Sequence, residues 1–237
     1  MPKSKFKIAE LAPNAITFVS PTDSDAASVA RNWYYVNLTF NDTNPDACVF
    51  EVSNTNVSMT RSGTNCFINR TGQSDGTLSY KVYINDTAGN IAVTGARTIT
   101  LDNVKPDVTI VAPTNIIYGS ATVDLKVKAS ETISTWQYSL NGGSNQTFTP
   151  NTTVSGSEGS NTLYVYATDA AANTNYSLIS FTVDTTAPNT FAFVSSTDAD
   201  NANVSRNWYY VNVTFTEVNP SICLLEVGGS NYSMTRS

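Results

Sequence analysis

Arg31-Asn32-Trp33-Tyr34-Tyr35-Val36-Asn37-Leu38-Thr39-Phe40 reads as a half-buried strand, and the chain carries most of it twice. Val36, Leu38 and Phe40 alternate with Asn37 and Thr39, so a period of two sends the apolar side chains to one face and the polar ones to the other. The signature returns as Arg206-Asn207-Trp208-Tyr209-Tyr210-Val211-Asn212. Outward from this stretch, residues 12–62 recur without a gap as residues 187–237, with 31 of 51 positions identical. Self-similarity at a long fixed offset marks an array of structural units.

The unit boundaries show a strand ending in Asp, then a short linker with Pro. Thr98-Ile99-Thr100-Leu101-Asp102-Asn103-Val104-Lys105-Pro106 is one, and Ser180-Phe181-Thr182-Val183-Asp184-Thr185-Thr186-Ala187-Pro188 is another. Lys5-Phe6-Lys7-Ile8, running to Pro13, fits the same template, with Phe6 and Ile8 in the places of Ile99 and Leu101. Residues 1–11 therefore read as the last strand of a preceding unit. Units at 12–105 and 106–186 follow, then a truncated unit at 187–237.

Ahead of each boundary, Tyr80-Lys81-Val82-Tyr83-Ile84-Asn85-Asp86-Thr87-Ala88-Gly89-Asn90 aligns with Leu163-Tyr164-Val165-Tyr166-Ala167-Thr168-Asp169-Ala170-Ala171-Ala172-Asn173. Alternation puts Tyr80, Val82 and Ile84 on one face, and Leu163, Val165 and Ala167 likewise. Strands are expected at 15–20, 33–40, 47–53, 56–60, 65–69, 78–85 and 96–101, then at 107–111, 121–129, 133–140, 146–149, 162–168 and 178–183. No segment holds helical periodicity beyond two turns. Short strands at this spacing, with turn residues between, predict an all-β chain of tandem Ig-like β-sandwich domains, two complete and one truncated.

Composition agrees. Apolar residues make up 41%, enough for packed cores, while charged residues make up only 14%, against about a quarter in an average domain. Asn (26) and Ser plus Thr (59) fill the gap, which suits strands and turns. The chain has no histidine, so the commonest general base and metal ligand are missing. No Gly-x-Ser-x-Gly elbow, Gly-rich phosphate loop or Cys/His cluster is present, and no enzyme is expected. The net charge is −6 with no Lys/Arg run after residue 7, which argues against a nucleic-acid partner. No stretch has the apolar length of a membrane span. Met1-Pro2-Lys3-Ser4-Lys5-Phe6-Lys7 is cationic but lacks the apolar core of a signal peptide.

The Asp86-Thr87-Ala88-Gly89-Asn90 and Asp184-Thr185-Thr186-Ala187-Pro188-Asn189 elements resemble the Ig-like repeats of large bacterial and archaeal cell-surface proteins. So does Ser130-Glu131, through Trp136-Gln137-Tyr138-Ser139-Leu140-Asn141-Gly142-Gly143, to Tyr164-Val165-Tyr166-Ala167-Thr168-Asp169. Ala172, where the turn usually has Gly, is a departure. The resemblance covers nearly the whole chain. It implies a structural or adhesive repeat region, a rod-like spacer at the cell surface, with any signal peptide upstream. Its partners would be neighbouring repeats, surface glycans or proteins of a host or neighbouring cell. The alternative is a calcium- or carbohydrate-binding Ig-like adhesion module, free or appended to an extracellular enzyme.

Cys48 and Cys66 lie 18 residues apart on what should be neighbouring strands. They read as a disulfide, hence export, or as two buried free thiols. Cys223 repeats Cys48, and its partner would fall at position 241. N-glycosylation sequons occur at Asn37, Asn41, Asn56, Asn69, Asn85, Asn145, Asn151, Asn175, Asn203, Asn212 and Asn231. That is 11, where 26 Asn and a Ser/Thr fraction near one quarter would give about 6 or 7 by chance. Alternation turns Asn37 outward, and the repeat keeps Asn212 in the same place.

Trp33, Tyr34 and Tyr35, with Trp208, Tyr209 and Tyr210, read as sandwich core and edge in preference to a sugar platform. Trp136 is expected to be the buried Trp of the second unit. Asp23-Ser24-Asp25 and Asp198-Ala199-Asp200 are loop carboxylate pairs. With Asp86, Asn90 or Asp102 they could hold Ca²⁺, which takes six to eight oxygens, or else they are solvated turns that cap their own backbone. Asp86 and Asp169 are expected to fix their turns by such bonds.

Overall fold

Alternating apolar side chains can hide from water only if two pleated layers close on one another. The computed structural model, which describes residues 11–236, does this twice. The strand expected in residues 1–11 falls, apart from Leu11, outside the described residues. No helix occurs among the described residues.

The first sandwich contains β1 (Asn14–Phe18), β2 (Ala27–Val29), β3 (Tyr34–Asn41), β4 (Pro45–Val52), β5 (Thr55–Ser58), β6 (Thr60–Ser62), β7 (Asn65–Arg70), β8 (Gly76–Asp86), β9 (Ile91–Val93) and β10 (Arg97–Leu101). One sheet runs β1-β3-β7-β6, and the other runs β2-β10-β8-β4-β5 with β9 beside β8. All pairs are antiparallel except β2 with β10. Tyr34, Val36, Leu38, Phe40 and Cys66 meet Cys48, Phe50, Tyr80, Val82, Ile84, Ile99 and Leu101 in one core. Full burial of each such aliphatic or aromatic side chain is worth roughly 1.5–3 kcal/mol.

The second sandwich contains β11 (Val108–Ala112), β12 (Ile117–Tyr118), β13 (Thr122–Ala129), β14 (Thr135–Leu140), β15 (Gln146–Phe148), β16 (Thr152–Ser155), β17 (Gly159–Thr168) and β18 (Thr174–Val183). Its sheets are β11-β13-β16 and β12-β18-β17-β14-β15. Val123, Leu125, Val154, Leu163, Val165, Phe181 and Val183 form a separate core. Trp136 is only half-buried, packed beside Phe148 on the neighbouring strand, so it is not the buried Trp expected from sequence. The central place in this core goes instead to Phe181 and the aliphatic side chains.

β19 (Asn189–Phe193), β20 (Val213–Thr216), β21 (Leu224–Val227) and β22 (Ser230–Ser233) reproduce two strand pairs of the first sandwich, β1–β3 and β4–β5, down to their register. The pairs Asn189↔Thr216, Ala192↔Thr214 and Phe193↔Val213 copy Asn14↔Asn41, Thr17↔Thr39 and Phe18↔Leu38, including the same irregularity between the first two. Cover does not follow register. Tyr34 is 1% exposed and its copy Tyr209 is 57% exposed. In the first sandwich β7, β8 and β10 close the core, and these strands lie outside the repeated residues 12–62.

Candidate functional site

The densest polar architecture sits at the junction between the two sandwiches. The chain leaves β10 at Asp102, whose carboxylate accepts the Val104 N–H at 3.1 Å and so turns the linker. The β17–β18 turn of the second sandwich then grips the linker. Asn173 Nδ2 donates to the Asp102 carbonyl and Asn175 Nδ2 to the Pro106 carbonyl, both at 2.9 Å. Asp107 and Ser130 close the far side, with the Asp107 N–H on Ser130 Oγ at 2.9 Å and the Ser130 N–H on the Asp107 carbonyl at 3.1 Å.

That turn is itself built by a buried carboxylate. Asp169 Oδ1 accepts the N–H groups of Ala171 and Asn173 at 2.8 and 2.9 Å, and its Oδ2 accepts Asn173 Nδ2 at 2.9 Å. Asp86 builds the sister turn with Asn90. Burial alone would raise the Asp86 carboxyl, but hydrogen bonds from the Asn90 side chain and from the backbone of Asn90, Ala88 and Gly89 outweigh it and lower its pKa. Both aspartates fix their turns as their spacing predicts.

Ala172 adopts φ 72°, where Gly89 holds the matching place at φ 89°. This left-handed conformation costs a residue with a Cβ roughly 1–2 kcal/mol. Glycine's greater freedom in the unfolded chain gives back about 0.4–1 of that. Ala172→Gly is expected to stabilise the second sandwich by up to about 1.6 kcal/mol, seen as a higher urea midpoint. An unchanged midpoint would mean that the turn relaxes around the methyl group.

Beside this turn, carboxylate oxygens of Asp102, Glu131 and Asp169 lie within 4.8 Å of one another. Glu131 Oε1 is buried and has no hydrogen-bond partner among the described residues. Burial, then the negative charges of Asp102 and Asp169, push the Glu131 carboxyl up from its ordinary value. Three oxygens of this kind are the start of a hard-cation site. Asp102 was visible as a candidate in the sequence. Glu131 was not, because nothing local ties the end of β13 to the two turns.

The other candidate carboxylates have different neighbours. Asp23 pairs with the Arg31 guanidinium, and Asp198 pairs with Arg206 in the same way. Asp25 Oδ1 accepts the N–H groups of Ala26 and Thr98 at 2.9 and 2.8 Å. Asp200 is exposed. A divalent cation at Asp23 or Asp198 would have to displace an arginine. Arg31 also lies over the Trp33 ring at 4.2 Å, as Arg206 lies over Trp208 at 4.4 Å. Trp33 is 42% exposed, so of the Trp33-Tyr34-Tyr35 run only Tyr34 enters the core.

Cys48 and Cys66 are bonded and buried, tying β4 of one sheet to β7 of the other, and are not two free thiols. Cys223 is free and half-buried. The sequons divide by exposure. Asn41, Asn56, Asn69, Asn145, Asn151, Asn203 and Asn231 are exposed, whereas Asn37, Asn85, Asn175 and Asn212 are half-buried.

The second linker is pinned as well. Asp184 takes the Thr186 N–H at 3.3 Å and Asn219 Nδ2 at 2.8 Å. Glu158, which sequence reasoning missed, takes the Thr185 N–H and hydroxyl at 3.1 and 2.8 Å. No helix among the described residues is long and apolar enough to cross a membrane.

No family model matches the sequence, and no curated protein matches it. Solved structures similar to this chain include three tandem-domain proteins. A three-immunoglobulin-domain segment of titin, an E-to-A variant, superposes with a TM-score of 0.50 at 11% identity, over 95% of this chain and 83% of that one. Rst D1-D2 gives 0.48 at 9% identity, over 71% and 99%. The fibronectin(III)-like modules of Clostridium thermocellum CbhA give 0.44 at 15% identity, over 71% and 93%. The titin likeness shows the fold: a tandem of immunoglobulin-like sandwiches.

Proposed function

We propose that the chain is a structural repeat region of an exported cell-surface protein, with units at 12–105, 106–186 and 187–237 joined end to end as a spacer. The observation that carries this reading is the pinned junction. A linker that only tethers needs no partners, yet the Asp102 carbonyl at the end of the first unit accepts Asn173 Nδ2 of the second, and Asn175 and Ser130 fix Pro106 and Asp107, the residues on which the second unit begins. Interdomain motion is the default when contacts across a boundary are few, so these bonds serve to hold one sandwich at a set angle to the next. The buried disulfide supports an oxidising compartment. Solution scattering of the full chain is expected to give an extended, narrow particle. The double variant Asn173→Ala/Asn175→Ala is expected to broaden its distance distribution without unfolding either sandwich. A compact particle in the parent chain would overturn the spacer reading.

A second reading is favoured by the orphaned Glu131 oxygen: Asp102, Glu131 and Asp169 hold Ca²⁺ and stiffen the same junction. Calorimetric titration with CaCl₂ is expected to show one site with a dissociation constant in the range of about 0.1–1 mM typical of extracellular modules. Glu131→Gln should abolish it. Absence of binding up to about 10 mM, ten times that range, rejects this reading and leaves the spacer intact.

A further inference from the structure

The outward face of the β3–β7 pair carries a different chemistry. Tyr35 lies opposite Asn69 and Asn37 opposite Phe67, so the four residues form a square with the two aromatics on one diagonal. The Tyr35 and Phe67 rings are stacked, 6.1 Å between centroids and 12° from parallel, and both are half-exposed. Asn69 belongs to Phe67-Ile68-Asn69-Arg70-Thr71. On a strand, residues two apart share a face, so the aromatic and the asparagine project the same way, and the sequon threonine follows just past the end of the strand.

The same spacing occurs in Tyr35-Val36-Asn37-Leu38-Thr39 and Tyr83-Ile84-Asn85-Asp86-Thr87, but there the amide is engaged. Asn37 donates to the Ser20 carbonyl at 3.1 Å and accepts from Asn65 at 2.8 Å. Asn85 donates to Asp46 at 2.8 Å and accepts the Ala47 N–H at 3.1 Å. Asn69 is exposed and makes no side-chain hydrogen bond among the described residues. β6 pairs only with Asn65–Phe67, so the edge of β7 beside Asn69 is open.

We propose that Asn69 is an N-glycan attachment site whose first sugar seats on the Tyr35–Phe67 ring pair. This rests on the export reading above. The co-reactant is a lipid-pyrophosphate-linked oligosaccharide. Asn69 Nδ2 bonds to the anomeric carbon, the bond from that carbon to the pyrophosphate oxygen breaks, the lipid pyrophosphate leaves, and the amide gives up one proton. The polarised C–H groups of the sugar then face the electron-rich ring faces.

The test is to secrete the full chain from cells that N-glycosylate and to measure the occupancy of all eleven sequons by glycopeptide mass spectrometry. Occupancy at Asn69 is expected to exceed that at Asn37 and Asn85 several-fold, and Asn69→Gln should remove one glycan mass. Protons of the first sugar should be shifted upfield by the ring currents. The shift should vanish in Tyr35→Ala and in Phe67→Leu, the second of which keeps an apolar side chain in place. Asn69 bare while other sequons carry glycans overturns this site and leaves the export reading standing. All eleven bare likewise overturns this site, and an occupied Asn69 without ring-shifted protons overturns the seating.

Discussion

Replacing Cys48 and Cys66 together by Ala is expected to destabilise the first sandwich by about 3–5 kcal/mol and to leave the second unmoved. The bridge closes a loop of 18 residues, and loss of that constraint on the unfolded chain alone accounts for about 3 kcal/mol in the loop-entropy treatment. Packing adds to this. Both cysteines are buried, so two sulfur atoms leave the centre of a close-packed core and the surrounding side chains fill the gap only in part. The loop also contains β5 and β6, which place few side chains in the core. Met59, between those two strands, is buried. Without the bridge, those edge strands should be the first to open. Hydrogen exchange resolved by peptide is the measurement, with Cys223→Ser in both parent and variant to prevent exchange with the free thiol. Faster exchange confined to residues 14–101 is the expected pattern. Equal loss in residues 108–183 would mean that the two cores unfold as one, and the picture of independent units would fail.

What could be read in advance follows from where each signal lives. The strands β3, β8 and β17 were legible because each runs long enough for alternation to show, and Val36-Leu38-Phe40, Tyr80-Val82-Ile84 and Leu163-Val165-Ala167 all turn inward as that alternation demands. The short pieces were not. Ala27–Val29 and Ile117–Tyr118 pair in parallel with β10 and β18, which are distant in sequence. Two to four residues carry too little period to read, and β6, β9 and β16 escaped for the same reason. The site was partly legible. The Asp86 and Asp169 turns form locally, so their residues sit side by side in the sequence. Glu131 reaches Asp102 and Asp169 only through the folded junction, and Glu158 reaches Thr185 across 27 positions. Asn37 shows the limit of pattern reading. Its outward direction is correct, yet the Ser20 carbonyl and Asn65 hold its amide.

Asn161→Ala is expected to cost the second sandwich about 3–4 kcal/mol, more than an ordinary surface truncation by far. Sequence reasoning passed over this residue, because an asparagine between Ser160 and Thr162 reads as a solvated strand end. The structure makes it 0% exposed. Its Nδ2 donates to the carbonyls of Ser157 and Gly159 at 2.7 and 2.9 Å. Its Oδ1 accepts the Ser157 N–H and the Asn141 amide, each at 2.8 Å. An alanine would leave all four partners without their bond, and each buried group so stranded costs about 1–3 kcal/mol unless water reaches it. Some water will enter at the Ser157 side, which is exposed, so the sum falls short of four full penalties. Packing makes the site specific to this side chain. A Cβ at Gly156 would lie 3.1 Å from the Asn161 amide and 3.0 Å from Val183 Cγ2, so the loop chain is drawn tightly over it. Asn161→Asp separates the two contributions: it keeps the acceptor, removes both donors and buries a charge, and so should be at least as damaging at neutral pH and recover in part on acidification. Urea unfolding of the three proteins at two pH values measures this directly. An alanine variant within about 1 kcal/mol of the parent, the scale of one exposed hydrogen bond, would show that the 156–161 loop is not held from within.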